Sequence, residues 1–272
     1  LAERWSNEFN RSDIRNLAIL VIDIPTNQVV AYCGNVHFDR KQGGNQVDVI
    51  QAPRSTGSIL KPFLYNAMLQ EGSLLPKMLL PDVPVNINGF TPQNFSMQFE
   101  GAVPASEALA RSLNIPAVTM LQRYGVPKFH HLLQQMGFKT INRAASHYGL
   151  SLILGGAEAT LWDVTNAYAQ MGRSLSSNSP SPNVSQGKEA QILLETENTE
   201  QINNDTKQTS RNHKSNHNKQ EKREQSNFSP LSVEEDSEET TSANAGAAWL
   251  TLSALTEVNR PEEIDWKSIP SM

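Results

Sequence analysis

The sequence predicts an α+β domain, in which a β-hairpin near the start of the chain is followed by a series of helices. Residues 17–33 contain two runs rich in Val and Ile, separated by Pro25-Thr26-Asn27, and this pattern is typical of a hairpin. After residue 57, helix-forming segments alternate with glycine and proline breaks. A chain of 272 residues is long enough to bury a substantial core.

The first helix is predicted over residues 57–70, with Gly72 as its stop signal. Pro62 falls within its first two turns, where the missing backbone N–H does little harm. Apolar residues leave few positions of this helix for solvent, so we expect it to be buried. They are Ile59, Leu60, Phe63, Leu64, Ala67 and Met68.

The rest of the folded body is predicted to be mainly helical. Residues 74–99 hold four prolines and several short apolar runs, which indicates an irregular connection. Thr160 precedes Asp163 at the spacing of a capping box, so a helix is expected to begin there. The helices predicted after the connection cover residues 105–113, 115–124, 126–136, 160–171 and 245–258.

Composition and charge exclude several classes of protein. The net charge of −5 argues against a nucleic-acid-binding protein, because such proteins cluster Lys and Arg. Cys33 is the single cysteine, which excludes an intrachain disulfide; we expect it to be a small buried apolar residue. No run approaches the roughly 18–20 apolar residues that span a bilayer, so membrane contact is expected only through an anchor outside these residues. A chain that begins with Leu1 is interpreted as a piece of a longer protein.

Residues 174–244 form a polar tract, rich in Ser, Asn, Gln, Glu and Lys and nearly without aromatic residues. Such a composition cannot bury enough apolar surface to offset the entropy of ordering, so we expect a disordered insert. The folded domain would then consist of residues 1–173 and 245–272. His213 and His217 lie in the tract without a third ligand nearby, and neither a metal site nor a cofactor site is predicted.

The motif Ser58-Ile59-Leu60-Lys61 predicts an activated serine. Positions i and i+3 of a helix face the same way, and the helix start adds a positive field and a free backbone N–H. Burial among apolar residues disfavours a charged amine and lowers its pKa, so Lys61 could accept the proton of Ser58. The spacing alone is common, since Ser185-Gln186-Gly187-Lys188 repeats it in the polar tract, where nothing would bury the lysine.

Ser112-Leu113-Asn114 lies at the junction of two predicted helices, where both polar side chains could point into one cleft. The hydroxyl could relay a proton near the nucleophile, and the amide could hold a substrate carbonyl or N–H. The residues alone leave two interpretations open. One is an acyl-serine site formed by Ser58, Lys61, Ser112 and Asn114; the other is a core helix with an incidental Ser and Lys, plus a Ser-Asn capping turn.

Longer strings surround these motifs and follow one another along roughly residues 15–173 and 243–272. They are LAILVIDIPTNQVVAYCGN (17–35), APRSTGSILKPFLYNAML (52–69), PVNINGFTPQNFSMQFEGAV (84–103), PASEALARSLNIPAV (104–118) and YGLSLILGGAEATLWDVTNAYAQMG (148–172). Together they closely resemble the transpeptidase domain of class A penicillin-binding proteins, especially those of the 1C type. Within the last string, Gly155-Gly156 is expected to support backbone packing, and Tyr168 and Trp162 to be core residues.

The resemblance implies a β-lactamase/transpeptidase-like fold, with a five-stranded antiparallel sheet flanked by helices and an all-helical lobe. It implies a peptidoglycan D,D-transpeptidase on the extracytoplasmic, periplasmic face of the bacterial inner membrane, acting on stem peptides that end in D-Ala-D-Ala. Ser58 would attack the penultimate D-Ala carbonyl, and Lys61 would deprotonate it. Ser112 would pass the proton to the leaving amine, and Asn114 would hold the donor peptide. β-Lactam antibiotics would acylate the same serine and stay.

The third motif of the family, Lys-Thr-Gly or Lys-Ser-Gly, pairs with the substrate carboxylate and completes the oxyanion hole. Trp266-Lys267-Ser268 is a partial match, but Ile269 stands where Gly is needed and Pro270 follows. We therefore expect the true motif beyond Met272, and slow or no reaction of these 272 residues alone with penicillin.

Two other kinds of activity remain open from the sequence. A D,D-carboxypeptidase or a serine β-lactamase shares the acyl-serine step and differs in what deacylates the enzyme. A non-catalytic domain that senses or binds cell-wall peptides or β-lactams would need no third motif.

Overall fold

The structure is a computed structural model that describes residues 2, 4, 5, 16–36, 47–175 and 237–257, with side chains of the last range from residue 245 onward. All described residues fall within one of the chain's two units, which comprises Leu1–Ile192 and Ser237–Met272. His213, His217, most of the polar tract and Trp266-Lys267-Ser268 lie outside the described residues. In the described part of the chain, no helix has the length and apolar character needed to cross a membrane.

The predicted hairpin is confirmed, with antiparallel strands that pair Ile19 with Cys33 and Asp23 with Gln28. Thr26 donates from its hydroxyl and its backbone N–H to the Asp23 carboxylate, and these bonds lower the pKa of Asp23. Cys33 is half-buried rather than buried, because it lies at the end of its strand, and its thiol donates to Asn35 O at 3.4 Å.

Mixed helices and strands follow the hairpin, as an α+β domain requires. In chain order the elements are β1 (Ile19–Asp23), β2 (Gln28–Cys33), β3 (Arg54–Ser55), α1 (Lys61–Gln70), β4 (Leu79–Asp82), β5 (Gly101–Pro104), α2 (Ala105–Ala110), α3 (Asn114–Tyr124), α4 (Val126–Gln135), α5 (Ala145–Tyr148), a 3-10 helix (Gly149–Leu154), β6 (Glu158–Ala159), α6 (Leu161–Arg173) and α7 (Ser237–Thr256).

The described strands form three two-stranded antiparallel sheets, β1–β2, β3–β6 and β4–β5. Within this part of the chain, none of them is the five-stranded sheet that the resemblance implies. The β3–β6 pair is short, but it joins the segment before α1 to the segment before α6. The β4–β5 pair brackets the irregular connection and leads directly into α2.

Helix α1 begins at Lys61, later than the predicted start at residue 57. An α-helix that included Ser58 would need an N–H from residue 62 to bond Ser58 O, and Pro62 has none. Instead Lys61 N–H donates to Ser58 O at 3.1 Å, so Ser58 lies in a tight turn that feeds the helix. Gly72, with φ of +66°, follows the helix end as predicted.

Helix α1 forms the centre of the core, as predicted, although Ile59 in the preceding turn is 39% exposed. Helices α2, α3 and α7 pack against it, and Phe63 contacts Phe138 edge to face, with ring centroids 5.8 Å apart. The α1 side chains that contribute to the core are Phe63, Leu64, Tyr65, Ala67 and Met68.

Of two further helix predictions, the structure confirms the start of one and moves the start of the other. Thr160 caps α6 as predicted, since its hydroxyl oxygen accepts the Asp163 N–H at 3.0 Å. Helix α7 begins at Ser237 rather than at residue 245, so the end of the predicted insert is helical.

Tyr65 offers a test of the core that depends on pH. Its side chain is fully buried, and within the described residues its hydroxyl has no hydrogen-bond partner. Burial raises its pKa to about 12, whereas an unfolded tyrosine titrates near about 10. Because the folded state holds this proton more tightly, the unfolded state loses protons first, and stability falls as the pH rises through that window.

We expect Tyr65→Phe to keep or raise the melting temperature at pH 7.5 and to lose less stability than the wild type between pH 10 and 12. The phenylalanine keeps the packing and removes a buried polar group that lacks a partner. Melting curves at both pH values check this. A clear loss of stability at pH 7.5 would contradict it.

Candidate active site

Ser58 lies exposed in the turn of residues 57–60 that leads from β3 into α1. Gly57 takes a left-handed φ of +50° at the start of this turn. Thr56 anchors it on both sides, because its N–H donates to Ala157 O at 3.0 Å and its carbonyl accepts the Ile59 N–H at 3.0 Å. These two hydrogen bonds fix the backbone of the turn, and Ser58 lies exposed on it.

Gly155 packs directly against this turn, as the predicted role of Gly155-Gly156 in backbone packing requires. The Ser55 hydroxyl donates to Gly155 O at 2.8 Å. Gly155 has a φ of +101°, and a Cβ placed there would lie 2.9 Å from the Cα and the N of Gly57. A side chain at residue 155 would displace the backbone that carries Ser58.

We expect Gly155→Ala in the natural full-length protein to reduce the rate of covalent labelling by penicillin at least about tenfold, since displacements near 1 Å at a reacting group have large effects on rate. Gly137→Ala is the matched control. Gly137 has a similar φ of +93°, but among the described residues no atom beyond its chain neighbours lies within 4 Å of the position that a methyl group would take there, so the substitution introduces backbone strain alone. Gly137→Ala should lose roughly 1–2 kcal/mol of stability, and Gly155→Ala should lose more because its methyl group also meets the backbone of Gly57. Equal labelling rates, at a temperature where both variants are folded, would contradict the role of Gly155.

Tyr168 on α6 holds the same turn from the other side. Its hydroxyl donates to Ile59 O at 3.0 Å, and its ring lies 4.7 Å from that of Phe63. Burial raises the pKa of Tyr168, so the hydroxyl remains a donor in neutral and mildly alkaline solution. The sequence predicted a core residue here, and nothing local pairs residues 59 and 168.

Lys61 is 2% exposed, and its amine lies at the centre of the predicted site. Nζ donates to Ser112 O at 2.7 Å and to Asn114 Oδ1 at 2.7 Å, and it lies 3.2 Å from Ser112 Oγ. The structure thus brings together three of the four predicted residues through direct contacts. Ser58 stands one turn before Lys61, joined to it by the backbone hydrogen bond of the turn.

The left-handed backbone conformation of Ser112 explains how its carbonyl reaches the amine of Lys61. Helix α2 ends at Ala110 rather than at residue 113, because Ser112 takes a φ of +54° and reverses the chain. Leu113 N–H then donates to Ala108 O at 2.9 Å, which closes the helix end. Pro116 has no N–H to offer to Ser112 O, and the Lys61 amine supplies the donor instead.

Asn114 is the first residue of α3 and is held from two directions. Its Nδ2 donates to Gln93 O at 2.8 Å, which leaves Oδ1 facing Lys61. Its backbone N–H donates to Asn94 Oδ1 at 2.9 Å. The sequence singled out Asn114 but contained no indication of Gln93 or Asn94.

Arg111 links the chain just before Ser112 to the end of the irregular connection between β4 and β5. It donates to both carboxylate oxygens of Glu100 and, at 3.1 Å, to Glu107. The hydrogen bonds from Arg111 hold the pKa of Glu100 below its usual value, and the same bonds raise the pKa of Arg111. Because these charged groups are partly exposed, their ion pairs orient this part of the chain and add little to the free energy of unfolding.

Known proteins share both the sequence and the architecture around this site. The family model described as the penicillin binding protein transpeptidase domain matches residues 17–249. The chain belongs to this family. Penicillin-binding protein 1C of Escherichia coli (strain K12) is 38% identical over 173 residues, which cover 64% of this chain and 22% of that protein. Penicillin-binding protein 1A of Neisseria cinerea is 30% identical over 158 residues, 56% of this chain and 19% of that protein.

Solved structures share the fold of this chain. Penicillin-binding protein 1A from Haemophilus influenzae matches with a TM-score of 0.50 and 27% identity, over 57% of this chain and 23% of that one. The PonA1 protein from Mycobacterium tuberculosis in complex with penicillin V matches with a TM-score of 0.51 and 21% identity, over 64% and 49%. The predicted α+β, transpeptidase-like fold is confirmed. The chain spans about a fifth of the length of the curated relatives that it matches.

Proposed function

We propose that this domain is a peptidoglycan D,D-transpeptidase that works through an acyl-enzyme on Ser58. The observation that carries the proposal is the buried amine of Lys61, held by Ser112 and Asn114 one turn away from the exposed hydroxyl of Ser58. Membership of the family supports the reaction type. Because the chain spans only about a fifth of the length of its curated relatives, the proposal is tested on the natural full-length protein.

The hydrogen bonds of Lys61 suit a proton acceptor. Ser112 O and Asn114 Oδ1 carry no hydrogen, so each takes one N–H of the amine. A neutral amine has two hydrogens and one lone pair, and in the proposed mechanism the lone pair accepts the proton of a hydroxyl. In the proposed first step this lone pair takes the proton of Ser58, whose oxygen attacks the penultimate D-Ala carbonyl of a stem peptide.

The next steps use the remaining polar groups. Ser112 Oγ, 3.2 Å from Nζ, passes the proton to the amine of the last D-Ala as the C–N bond breaks. Asn114 Nδ2 has two hydrogens, of which Gln93 O accepts one, so the second can bind a carbonyl of the donor peptide. The amine of a neighbouring strand then attacks the ester, the cross-linking amide forms, and Ser58 regains its proton.

β-Lactam antibiotics are the second class of ligand that the proposal assigns to the site. Their strained amide presents a carbonyl to the same hydroxyl, and the acyl group stays because the leaving amine remains attached. A solved relative of this fold is described in complex with penicillin V. The proposal also places the domain outside the cytoplasm, where peptidoglycan is built, and leaves membrane attachment to other parts of the protein.

The test is to locate the acyl group on the natural full-length protein. We expect a fluorescent penicillin to label the protein covalently, and mass spectrometry of the digest to place the adduct on Ser58. An adduct on a different serine would overturn the assignment of the nucleophile. Absence of any covalent adduct would favour a non-catalytic binding domain, and rapid release of hydrolysed penicillin would favour a β-lactamase.

A further inference from the structure

Asn94 reaches the site from the irregular connection between β4 and β5. Its side chain is 2% exposed, and its Oδ1 accepts the backbone N–H groups of Asn114 at 2.9 Å and of Ile115 at 3.4 Å. Leu113, the residue before α3, provides no side-chain cap for this helix. Asn94 therefore caps α3 across a gap of 20 residues in sequence.

A hydrogen bond to Asp82 sets the orientation of the side-chain amide of Asn94. Asn94 Nδ2 donates to Asp82 Oδ1 at 2.7 Å and to Gln98 O at 3.0 Å. A carboxylate and a carbonyl accept hydrogen bonds but do not donate, so only the nitrogen end of the amide can face them. The oxygen end must then face the start of α3. Asp82 is itself 1% exposed, and its Oδ2 accepts the Glu100 N–H at 3.0 Å.

The neighbouring residue sets the side chain of Asn114 in the same way. Gln93 O accepts from Asn114 Nδ2 at 2.8 Å, so Asn114 Oδ1 is the end that accepts from Lys61. Two consecutive residues, Gln93 and Asn94, thus fix both the side chain and the backbone of Asn114. The hydrogen bonds run in an unbroken series from Asp82 through Asn94 and Asn114 to the amine of Lys61.

We propose that Asp82 and Asn94 are positioning residues for the acyl-serine reaction, which they serve by orienting Asn114 and so aiming the Lys61 amine at the hydroxyls. This inference rests on the proposed function. It assigns catalytic influence to two buried residues that touch neither the substrate nor the nucleophile. A purely structural role would change stability alone, and an exchange of the two side chains separates the two roles.

Asn94→Asp sets a second carboxylate against Asp82 and against Gln98 O, so the series of hydrogen bonds is broken by repulsion. The exchange variant Asp82→Asn with Asn94→Asp restores one amide and one carboxylate. The new amide at residue 82 can donate to residue 94 and accept the Glu100 N–H, while the carboxylate at residue 94 accepts at the start of α3. We expect the single variant to be acylated at least about tenfold more slowly than the wild type and the exchange variant to recover part of that loss, because the carboxylate at residue 94 still faces Gln98 O without a donor.

The measurement is the rate of fluorescent-penicillin labelling of the natural full-length protein, at a temperature where every variant is folded. Leu133→Ala is the control, because Leu133 is fully buried on α4, a helix that supplies no residue of the site, and its truncation leaves a cavity. It should lower the melting temperature and keep the labelling rate. Equal rates for Asn94→Asp and wild type, no recovery in the exchange variant, or an equal fall in Leu133→Ala would overturn the proposal.

Hydrogen exchange tests the same series of hydrogen bonds without activity. We expect Asn94→Ala to speed exchange at the backbone amides of Asn114 and Ile115 and to leave α4 protected. Unchanged exchange at these two amides would overturn the cap and with it the positioning role. Failure of the wild type to become labelled would instead overturn the proposed function, and the exchange result would still decide whether Asn94 holds α3.

Discussion

The natural full-length protein with Ser58 replaced by alanine is expected to lose all covalent labelling by fluorescent penicillin. The hydroxyl of Ser58 is the atom that would carry the acyl group, and no other group can replace it in an ester. Because the side chain is exposed on a turn whose backbone is held by Thr56 and Tyr168, the fold should be unaffected. We expect the melting temperature to match that of the wild type, as for most surface substitutions.

The chain offers a matched control for this substitution. Ser185-Gln186-Gly187-Lys188 repeats the Ser-x-x-Lys spacing in the polar tract. Ser185→Ala should be labelled at the wild-type rate, since the spacing by itself carries no chemistry. Covalent labelling of Ser58→Ala, or its loss in Ser185→Ala, would show that the nucleophile has been misassigned.

Local signals account for the parts of the fold that the sequence predicted. The turn residues between β1 and β2, the cap at Thr160 and the glycine after α1 each act through neighbours only a few positions away, so their effects are visible in one sequence. The start of α1 could also have been predicted from the sequence. Pro62 cannot donate to Ser58 O, and that fact places Ser58 in a turn rather than in the helix.

The contacts that position the site could not be predicted in the same way. Tyr168 meets Ile59, and Gly155 meets Gly57, across about a hundred residues, and periodicity carries no information about such pairs. Asn94 lies in a proline-rich connection where a polar residue is ordinary. Its role is set by the absence of a cap at Leu113, which only the structure reveals.

The candidate site was predictable to the extent that its residues stand next to recognisable helix boundaries. Lys61, Ser112 and Asn114 all lie at the starts or ends of helices, and the structure joins them through the buried amine. The left-handed conformation of Ser112 was not predictable, because serine seldom adopts it and no glycine marks the position. That conformation turns the carbonyl of Ser112 toward Lys61.

Replacing Lys61 with methionine is expected to slow acylation by about 10²–10⁴-fold, the range typical of a lost general base. Methionine fills nearly the same apolar space, so the helix should survive. Ser112 O and Asn114 Oδ1 would lose their donor, and leaving buried acceptors unsatisfied destabilises by about 1–3 kcal/mol each. Removing a buried amine offsets part of that loss, because the amine no longer has to be desolvated. The variant should therefore melt at a moderately lower temperature and remain folded.

The variant Lys61→Arg distinguishes between two possible roles of residue 61, that of a base and that of a fixed positive charge. Arginine carries a permanent positive charge and can donate to both acceptors, but it cannot take the proton of Ser58. Under the proposed mechanism it should be labelled as slowly as Lys61→Met, while Lys188→Met, in the second Ser-x-x-Lys copy, should be labelled normally. Labelling of Lys61→Arg at the wild-type rate would mean that the amine acts only through its charge. The acceptor of the Ser58 proton would then have to be sought elsewhere in the site.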